Sequence, residues 1–276
     1  MVYFIPTPIG NLEDISQRSL NLLCEIDTLF CEDTRITKKL INLLNQKYNL
    51  NIEISKYISL HSHNEKSVLN SIDLTLFDRD VAYLSDAGMP CISDPGSYFI
   101  KFCQKNCIDY EVLSGANAAL LAFASSGFES SKFLFYGFLP HKGRDRQSAL
   151  NEIANSKYPI IIYESPHRIE KLIDELEKLI PQREVFFIKE ATKKYEKKFK
   201  CLASEIRSQI EGLSLKGEWS VVVEGSLDCS GEEISKDDII SLEIAPKQKA
   251  KLLSKLTGKS IKYWYDHLCI NNSYIE

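Results

Sequence analysis

The chain has 276 residues, 44% of them hydrophobic, with 34 Lys and Arg against 38 Asp and Glu and a formal net charge of −4. That length suits one large domain or two ordinary ones, with enough apolar material for a real core. The slight acidity excludes a globally basic nucleic-acid binder, so any such contact has to come from local basic patches.

The opening residues Met1-Val2-Tyr3-Phe4-Ile5 run straight into a strand pattern, with no basic leader and no small-residue cleavage site. No stretch approaches membrane-spanning length, so the expectation is a cytoplasmic protein without a membrane partner. Eight cysteines (Cys24, Cys31, Cys91, Cys103, Cys107, Cys201, Cys229 and Cys269) form no CxxC pair. They read as reduced core residues, and no metal is expected.

In chain order, residues 2–5 form the first predicted strand, followed by the turn Pro6-Thr7-Pro8-Ile9-Gly10-Asn11. Asp14 or Ser16 caps a helix that continues through Arg18 to Ile26. Residues 27–31 are a second strand, with Glu32-Asp33-Thr34-Arg35 at its tip, and 37–44 have helical spacing. A strand over 52–60 ends in a polar segment containing His61 and His63, and a helix follows over 66–76.

Residues 81–84, Val-Ala-Tyr-Leu, form a short uncharged run that suits a strand buried on both faces of a parallel sheet. The chain then changes character: Asp86-Ala87-Gly88-Met89-Pro90 and Ser93-Asp94-Pro95-Gly96 make two stiff turns in series. A plain strand-to-helix connection needs only about two to six residues. The surplus points to a ligand cradle built from main-chain groups, at the strand ends where open α/β sheets bind their ligands. A helix from Tyr98, a strand over 111–113, the tip Ser114-Gly115-Ala116-Asn117-Ala118 and a helix over 119–125 complete a largely parallel α/β domain, residues 1–127.

A second α/β domain is expected over 128–225, with strands at 132–138, 159–163, 183–188 and 217–225 and helices at 147–155, 169–180 and 202–210. The loop from Leu139 to Arg146 is basic, and Glu164-Ser165-Pro166-His167-Arg168 and Lys189-Glu190-Ala191-Thr192-Lys193 sit at strand tips. Ligands tend to lie between such tandem domains. Residues 226–276 read as an acidic linker over 228–238 and a tail of two short helices over 245–266, carrying Lys247, Lys249, Lys251, Lys255, Lys259 and Lys262. No P-loop, GxGxxG, HExxH or GxSxG is present, and no obvious nucleophile. What remains is a set of Gly-, Pro-, Asp- and Asn-rich tips suited to holding a polar small molecule and positioning a second substrate against it.

Five segments in order carry a resemblance: Pro6 to Leu12, Cys31 to Arg35, Ser85 to Gly96, Tyr163 to Arg168, and Glu190 to Lys193. They resemble the bacterial small-subunit ribosomal RNA (cytidine 2′-O-) methyltransferases, the ribosomal small subunit methyltransferase I family of the tetrapyrrole methylase superfamily. The resemblance spans residues 1 to about 225 and, more loosely, the basic tail. It implies the tetrapyrrole methylase fold, a homodimer, and S-adenosylmethionine in the cleft between the two domains. The cofactor-binding role falls by resemblance on Pro8, Gly10, Asp86, Ala87, Gly88, Pro90, Ile92, Ser93, Asn117 and Ala118. Two departures stand out: the family usually has Gly-Pro-Ser-Ala where this chain has Gly115-Ala116-Asn117-Ala118, and Met89 and Cys91 replace smaller residues.

For methyl transfer to a ribose hydroxyl, Glu32 or Asp33 is the expected base, among tip candidates that also include His61, His63, Glu164, Glu190 and Lys193. Arg35 and Arg168 are expected on RNA phosphates. His141, Lys142, Arg144, Arg146, Lys193 and the tail lysines are the other expected RNA contacts, on ribosomal RNA or an assembled small subunit. A tetrapyrrole methylase of the same fold and a non-catalytic ribosome-binding factor are the alternatives.

Overall fold

The computed structural model describes residues 1–226 and 234–272. Residues 1–226 form one compact unit and the described residues after them a second. Within the first unit, β1 (Val2–Ile5), β2 (Thr28–Cys31), β3 (Lys56–Ser59), β4 (Val81–Leu84) and β5 (Tyr110–Val112) form a sheet in the order β3-β2-β4-β1-β5. Every pairing in it is parallel. Helices α1 (Gln17–Glu25), α2 (Thr34–Tyr48), α3 (Glu65–Ser71), α4 (Ser97–Lys105) and α5 (Ala118–Ser126) connect these strands and lead away from the last.

The uncharged run of β4 is explained by its place between β2 and β1, where all four of its residues are buried. Successive side chains point to opposite faces. Leu29, Leu84 and Ile5 therefore pack on Leu20, Leu23, Ile41 and Leu44, while Phe30, Tyr83 and Phe4 pack on Phe99, Phe102 and Leu69. Phe99 is the hub of the aromatic face, with ring centroids 4.8 Å from Phe30 and 5.4 Å from Phe4. Each side chain so buried contributes about 1.5–3 kcal/mol.

The second sheet is built from β6 (Leu134–Phe138), β7 (Ile160–Glu164), β8 (Glu184–Lys189), β9 (Lys197–Leu202) and β10 (Trp219–Val223), in the order β6-β7-β10-β8-β9. Only β6 and β7 run parallel; β10 is antiparallel to both its neighbours, and β9 to β8. Helices α6 (Gly143–Asn155) and α7 (Ile169–Leu179) cover one face, and α8 (Ile206–Gln209) is a single short turn. In α7 the buried residues Ile169, Leu172, Ile173 and Leu176 recur at helical spacing. The other face is covered by α5, whose Ala119 and Ala122 pack on Ile161, Phe186, Ile188 and Val222. A division at residue 127 thus separates α5 from the sheet it covers.

Strand β9 corrects the sequence reading, which ran from a polar tip directly into a helix over 202–210. Half of its residues, Lys197-Lys198-Phe199-Lys200-Cys201-Leu202, are lysines because β9 is an edge strand, and lysines on an edge deter pairing with other chains. Helix α6 starts at Gly143, so Arg144 and Arg146 lie on a helix rather than in a loop. The helix expected over 66–76 is split into α3 and a 3-10 turn, Leu74–Asp78, capped by Asp73. Ser16, not Asp14, caps α1, accepting from the Ser19 amide. Cys31, Cys103 and Cys201 are buried as expected, but Cys24, Cys107 and Cys269 are exposed.

In the second unit, α9 (Lys236–Ser241), α10 (Pro246–Thr257) and α11 (Ile261–Asn272) follow one another. A capping box between Ser235 and Asp238 starts α9, inside the span read as linker; residues 228–233 of that span lie outside the described residues. Pro246 opens α10 and Gly258 closes it at φ 71°. The Trp264 indole donates to Thr257 Oγ1 at 2.7 Å, joining the two long helices. Lys247, Lys251 and Lys255 recur every fourth residue along α10 and are exposed. No helix among the described residues is long and apolar enough to cross a membrane.

Candidate active site

All the β1 and β4 tips point to one edge of the first sheet, because the strands are parallel. There the turn after β1 and the double turn after β4 grip each other. The Thr7 amide donates to Gly88 O at 2.9 Å and the Gly88 amide to Thr7 O at 3.0 Å. Thr7 Oγ1 donates to Ser85 O at 3.2 Å, and Ser85 Oγ to Gly88 O at 2.9 Å. Gly88 sits at φ 83°, and a Cβ there would lie 3.1 Å from Ile9. Cys91 and Ser93 also take left-handed backbone, at φ 68° and 64°, which costs about 1–3 kcal/mol each for residues with a side chain. Glu65, buried beneath the turn, accepts from the Gly96 and Phe99 amides, both at 3.0 Å, and so caps α4 in place of a cap residue.

A cavity of about 270 Å³ opens where these turns meet the second sheet. The first sheet lines it with Ile9, Ala87, Gly88, Met89, Ile92, Ser93 and Asp94, and the start of α5 adds Asn117 and Ala118. The second sheet adds Phe138, the Tyr163 to Pro166 tip, and Glu218, Trp219 and Ser220, which begin the antiparallel β10 on the same rim. The Asn117 side chain accepts from the Leu120 amide at 3.0 Å, and the Tyr163 hydroxyl accepts from the Ala119 amide at 2.9 Å. Asn117 is therefore a helix cap on the cavity wall. Ala87, Ile92 and Ser93 make no main-chain hydrogen bond among the described residues.

Of the residues expected to bind a cofactor, the cavity thus brings together Ala87, Gly88, Ile92, Ser93, Asn117 and Ala118. Pro8, Gly10, Asp86 and Pro90 do not line it. Gly10 serves a close approach between the sheets: a Cβ there would lie 2.5 Å from Lys193 Cγ and 2.6 Å from Thr192 Oγ1. Asn11 continues that contact, its amide donating to Thr192 Oγ1 at 3.1 Å. Asp86 Oδ1 accepts from the Asp33 amide at 3.1 Å and ties the β4 tip to the β2 tip.

The expected catalytic group is differently placed. Asp33 caps α2 and binds Arg35 through both oxygens, at 3.0 Å to Nε and 2.6 Å to Nη2. The Arg35 hydrogen bonds hold the Asp33 carboxyl down at about 2. Burial first, then the charges of Asp86 and Asp33, push Glu32 up. None of Glu32, Asp33 and Arg35 lines the cavity.

The basic residues of the second sheet also turn inward. The Arg146 side chain is 3% exposed, donates to both Glu175 oxygens at 2.6–3.0 Å, and donates to Pro140 O at 2.8 Å. Arg168 pairs with Glu164 at 2.7 Å and donates to Leu139 O at 3.0 Å. These two arginines are framework residues that pin the 139–140 segment beside the cavity, which corrects their assignment as RNA contacts. Glu164 is wholly buried and its Oε2 has no hydrogen-bond partner. Lys193 bridges Glu190 and Glu218 at 3.0 and 2.9 Å. His141, Lys142 and Arg144 remain exposed next to this frame, and His61 and His63 lie away from the cavity. The sequence reading missed Asp94, Phe138, Glu218, Trp219 and Ser220; the antiparallel direction of β10 that brings the last three to the rim leaves no local mark. Asp94 stood in the recognised double turn, between Ser93 and the Pro95-Gly96 pair.

The family of tetrapyrrole (corrin/porphyrin) methylases matches residues 1–207, and the chain belongs to that family. Within it, the chain is 52% identical over 269 residues to ribosomal RNA small subunit methyltransferase I of Campylobacter fetus, covering 97% of this chain and 99% of that one. It is 37% identical over 284 residues to the protein of the same name from Helicobacter pylori, covering 96% of each. Among solved structures, a cobalt precorrin-4 methyltransferase superposes with a TM-score of 0.56 at 17% identity, covering 81% of this chain and 94% of that one. A uroporphyrin-III C-methyltransferase from Thermus thermophilus in complex with S-adenyl homocysteine gives a TM-score of 0.53 at 14% identity, covering 80% and 96%. Those two likenesses speak for the fold alone.

Proposed function

We propose that this chain methylates the ribose 2′-hydroxyl of a cytidine in small-subunit ribosomal RNA, with S-adenosylmethionine as donor. The observation that carries the reading is the near full-length identity of 52% to a ribosomal RNA small subunit methyltransferase I. The cavity fits such a donor: it approaches the roughly 300–1,000 Å³ of small-molecule sites, and its wall combines apolar groups with unused main-chain amides. Ala87, Gly88, Ile92, Ser93, Asn117 and Ala118 would hold it, while Gly10 permits the close approach to Thr192 and Lys193 and Asp86 ties the β4 tip to the β2 tip. The donor supplies, when bound, a methyl group on a positively charged sulfur.

The chain's own contribution is chiefly positional. Backbone turns braced by Thr7, Ser85 and Glu65 fix the donor's side of the cleft, and the Arg146 and Arg168 frame fixes the substrate's side. Alignment of two reactants in this way is worth roughly 7–11 kcal/mol, against about 3–5 kcal/mol for a positioned base. His141, Lys142 and Arg144 beside the cavity and Lys247, Lys249, Lys251, Lys255, Lys259 and Lys262 of the tail are the proposed phosphate contacts. The reading carries with it a homodimer and a cytoplasmic place of action.

Mass spectrometry of ribosomal RNA from cells with and without this protein tests the function. One ribose methyl group on a small-subunit cytidine is expected to disappear. An unchanged RNA with a methylated porphyrinoid product would instead favour tetrapyrrole chemistry, and failure to bind adenosylmethionine in calorimetry would favour a non-catalytic ribosome factor.

A further inference from the structure

The connection between β8 and β9, residues 190–196, is built more firmly than a hairpin turn requires. Glu190 and Thr192 take left-handed backbone, at φ 52° and 64°, which is costly for residues with a side chain and above all for a β-branched one. The Glu190 amide donates to Glu218 O at 2.8 Å, and the Glu218 amide returns a bond to Glu190 Oε1 at 2.9 Å. The Lys193 amide donates to Glu190 O and the Glu196 amide to Lys193 O, both at 3.0 Å. The Thr192 amide donates to Glu196 Oε2 at 2.6 Å. Lys193 Nζ then bridges Glu190 and Glu218. Glu218 lines the cavity, so the turn is fastened to the cavity rim.

This rigid turn presents residues that have no internal task. Tyr195 is 69% exposed, more than any other large hydrophobic side chain among the described residues. It stands two residues beyond Lys193, within about 7 Å of extended chain. The segment from Lys193 to Lys200 holds five lysines against one acid, Glu196. Three of the five are committed: Lys193 as above, Lys198 to Glu196 at 2.8 Å, and Lys200 to Glu184 at 3.4 Å. Lys194 and Lys197 are exposed and make no ion pair among the described residues. Lys194 Nζ lies 5.5 Å from the centre of the Tyr195 ring. Protection of the sheet edge accounts for lysines on β9, but not for Lys194 and Tyr195, which precede the strand, nor for the strain of the turn.

We propose that Tyr195 stacks on an unpaired base of the substrate RNA beside the nucleotide in the cavity, with Lys194 and Lys197 on the flanking phosphates. This rests on the reading of the chain as a ribosomal RNA methyltransferase. Every base offers an aromatic face, and paired cations follow the strand that carries it. The turn is fixed before RNA arrives, so little freedom is lost on binding. The two lysines have no partner to surrender. A protein partner fits less well, because lysines flank Tyr195 where a protein interface surrounds its aromatic anchor with apolar groups.

The test uses Tyr195→Ala, Tyr195→Phe and the double variant Lys194→Gln with Lys197→Gln, each in the full chain with small-subunit particles and adenosylmethionine. Tyr195→Ala should raise the KM for particles by about 5–150-fold, the loss of one stacked base, with kcat and adenosylmethionine affinity within about twofold of wild type. Tyr195→Phe, which keeps the ring, should stay within about threefold of wild type. The double variant should flatten the salt dependence of RNA binding by about 0.7 units of slope per lost contact, whereas Tyr195→Ala should leave the slope unchanged. Thermal unfolding should not move in any of them, since the ring and both cations are exposed. Ultraviolet cross-linking of the wild-type complex should join Tyr195 to a nucleotide. A KM unchanged in Tyr195→Ala, a Tyr195→Phe variant as impaired as Tyr195→Ala, or a cross-link from Tyr195 to a ribosomal protein would overturn the assignment alone. No ribosomal RNA methylation by the wild-type chain would overturn the functional reading with it.

Discussion

The two sides of the cleft are held by different means. On the first sheet, Thr7, Ser85 and Gly88 brace the turns with main-chain and hydroxyl hydrogen bonds. On the second, buried ion pairs do it: Arg146 with Glu175, and Arg168 with Glu164. Topology explains the contrast. Parallel strands all end at one edge, so their tips can bond to one another directly. The second sheet interleaves the exits of β6 and β7 with the entrance of β10, and the segments there are held by long side chains reaching back to carbonyls. A backbone cradle suits a donor held in one pose; a side-chain frame can carry an exposed basic rim for a larger partner.

The contrast can be broken from either side. Arg146→Ala is expected to have the largest effect on stability, about 3–5 kcal/mol in urea unfolding, since it strips Glu175 of its buried bidentate partner, while Glu164 keeps Arg168. Gly10→Ala forces a Cβ against Lys193 and Thr192, and should cost about 1–3 kcal/mol together with a loss of methyl transfer, as the two rims are pried apart. Asn117→Ala removes only a helix cap and should cost about 1 kcal/mol in thermal unfolding, with adenosylmethionine affinity falling alongside.

Smaller changes sharpen the comparison. Replacing Lys142 and Arg144 by Gln should leave stability unchanged and flatten the salt dependence of RNA binding by about 0.7–0.9 units of slope per lost phosphate contact. An unchanged slope would move the RNA surface elsewhere. Arg35→Ala should return the Asp33 titration from about 2 toward the ordinary carboxylate range, read by NMR. Because the folded-state value is depressed, the pair's contribution is present above about pH 4 and is lost as pH falls through about 2. With Arg35 89% exposed, the effect on acid unfolding should be small.

Much of this was legible along the chain. The uncharged run at β4 and the paired Gly and Pro after it announced a buried parallel strand and a rigid tip, because both effects are local. The lysines of β9 hid a strand, since an edge position rewards charge where a central one forbids it. Arg146 read as a surface cation because nothing nearby in sequence reveals that Glu175, 29 residues on, meets it across the fold; Arg168 has its partner Glu164 only four residues back, but the burial of that pair is decided by the fold.

What the sequence by itself determined is the set of corners: where a strand must stop, where only Gly or Pro suits the backbone, and so which segments surround the cleft. Which charges are spent on holding those segments and which are left over was decided only in three dimensions. Asp33 and Asp94 are both carboxylates at strand tips. One is neutralised by an arginine two residues away, while the other lines the cavity, where burial and the neighbouring Glu32 and Asp86 push its carboxyl up. Charge is read from composition, but its availability depends on neighbours that only folding supplies.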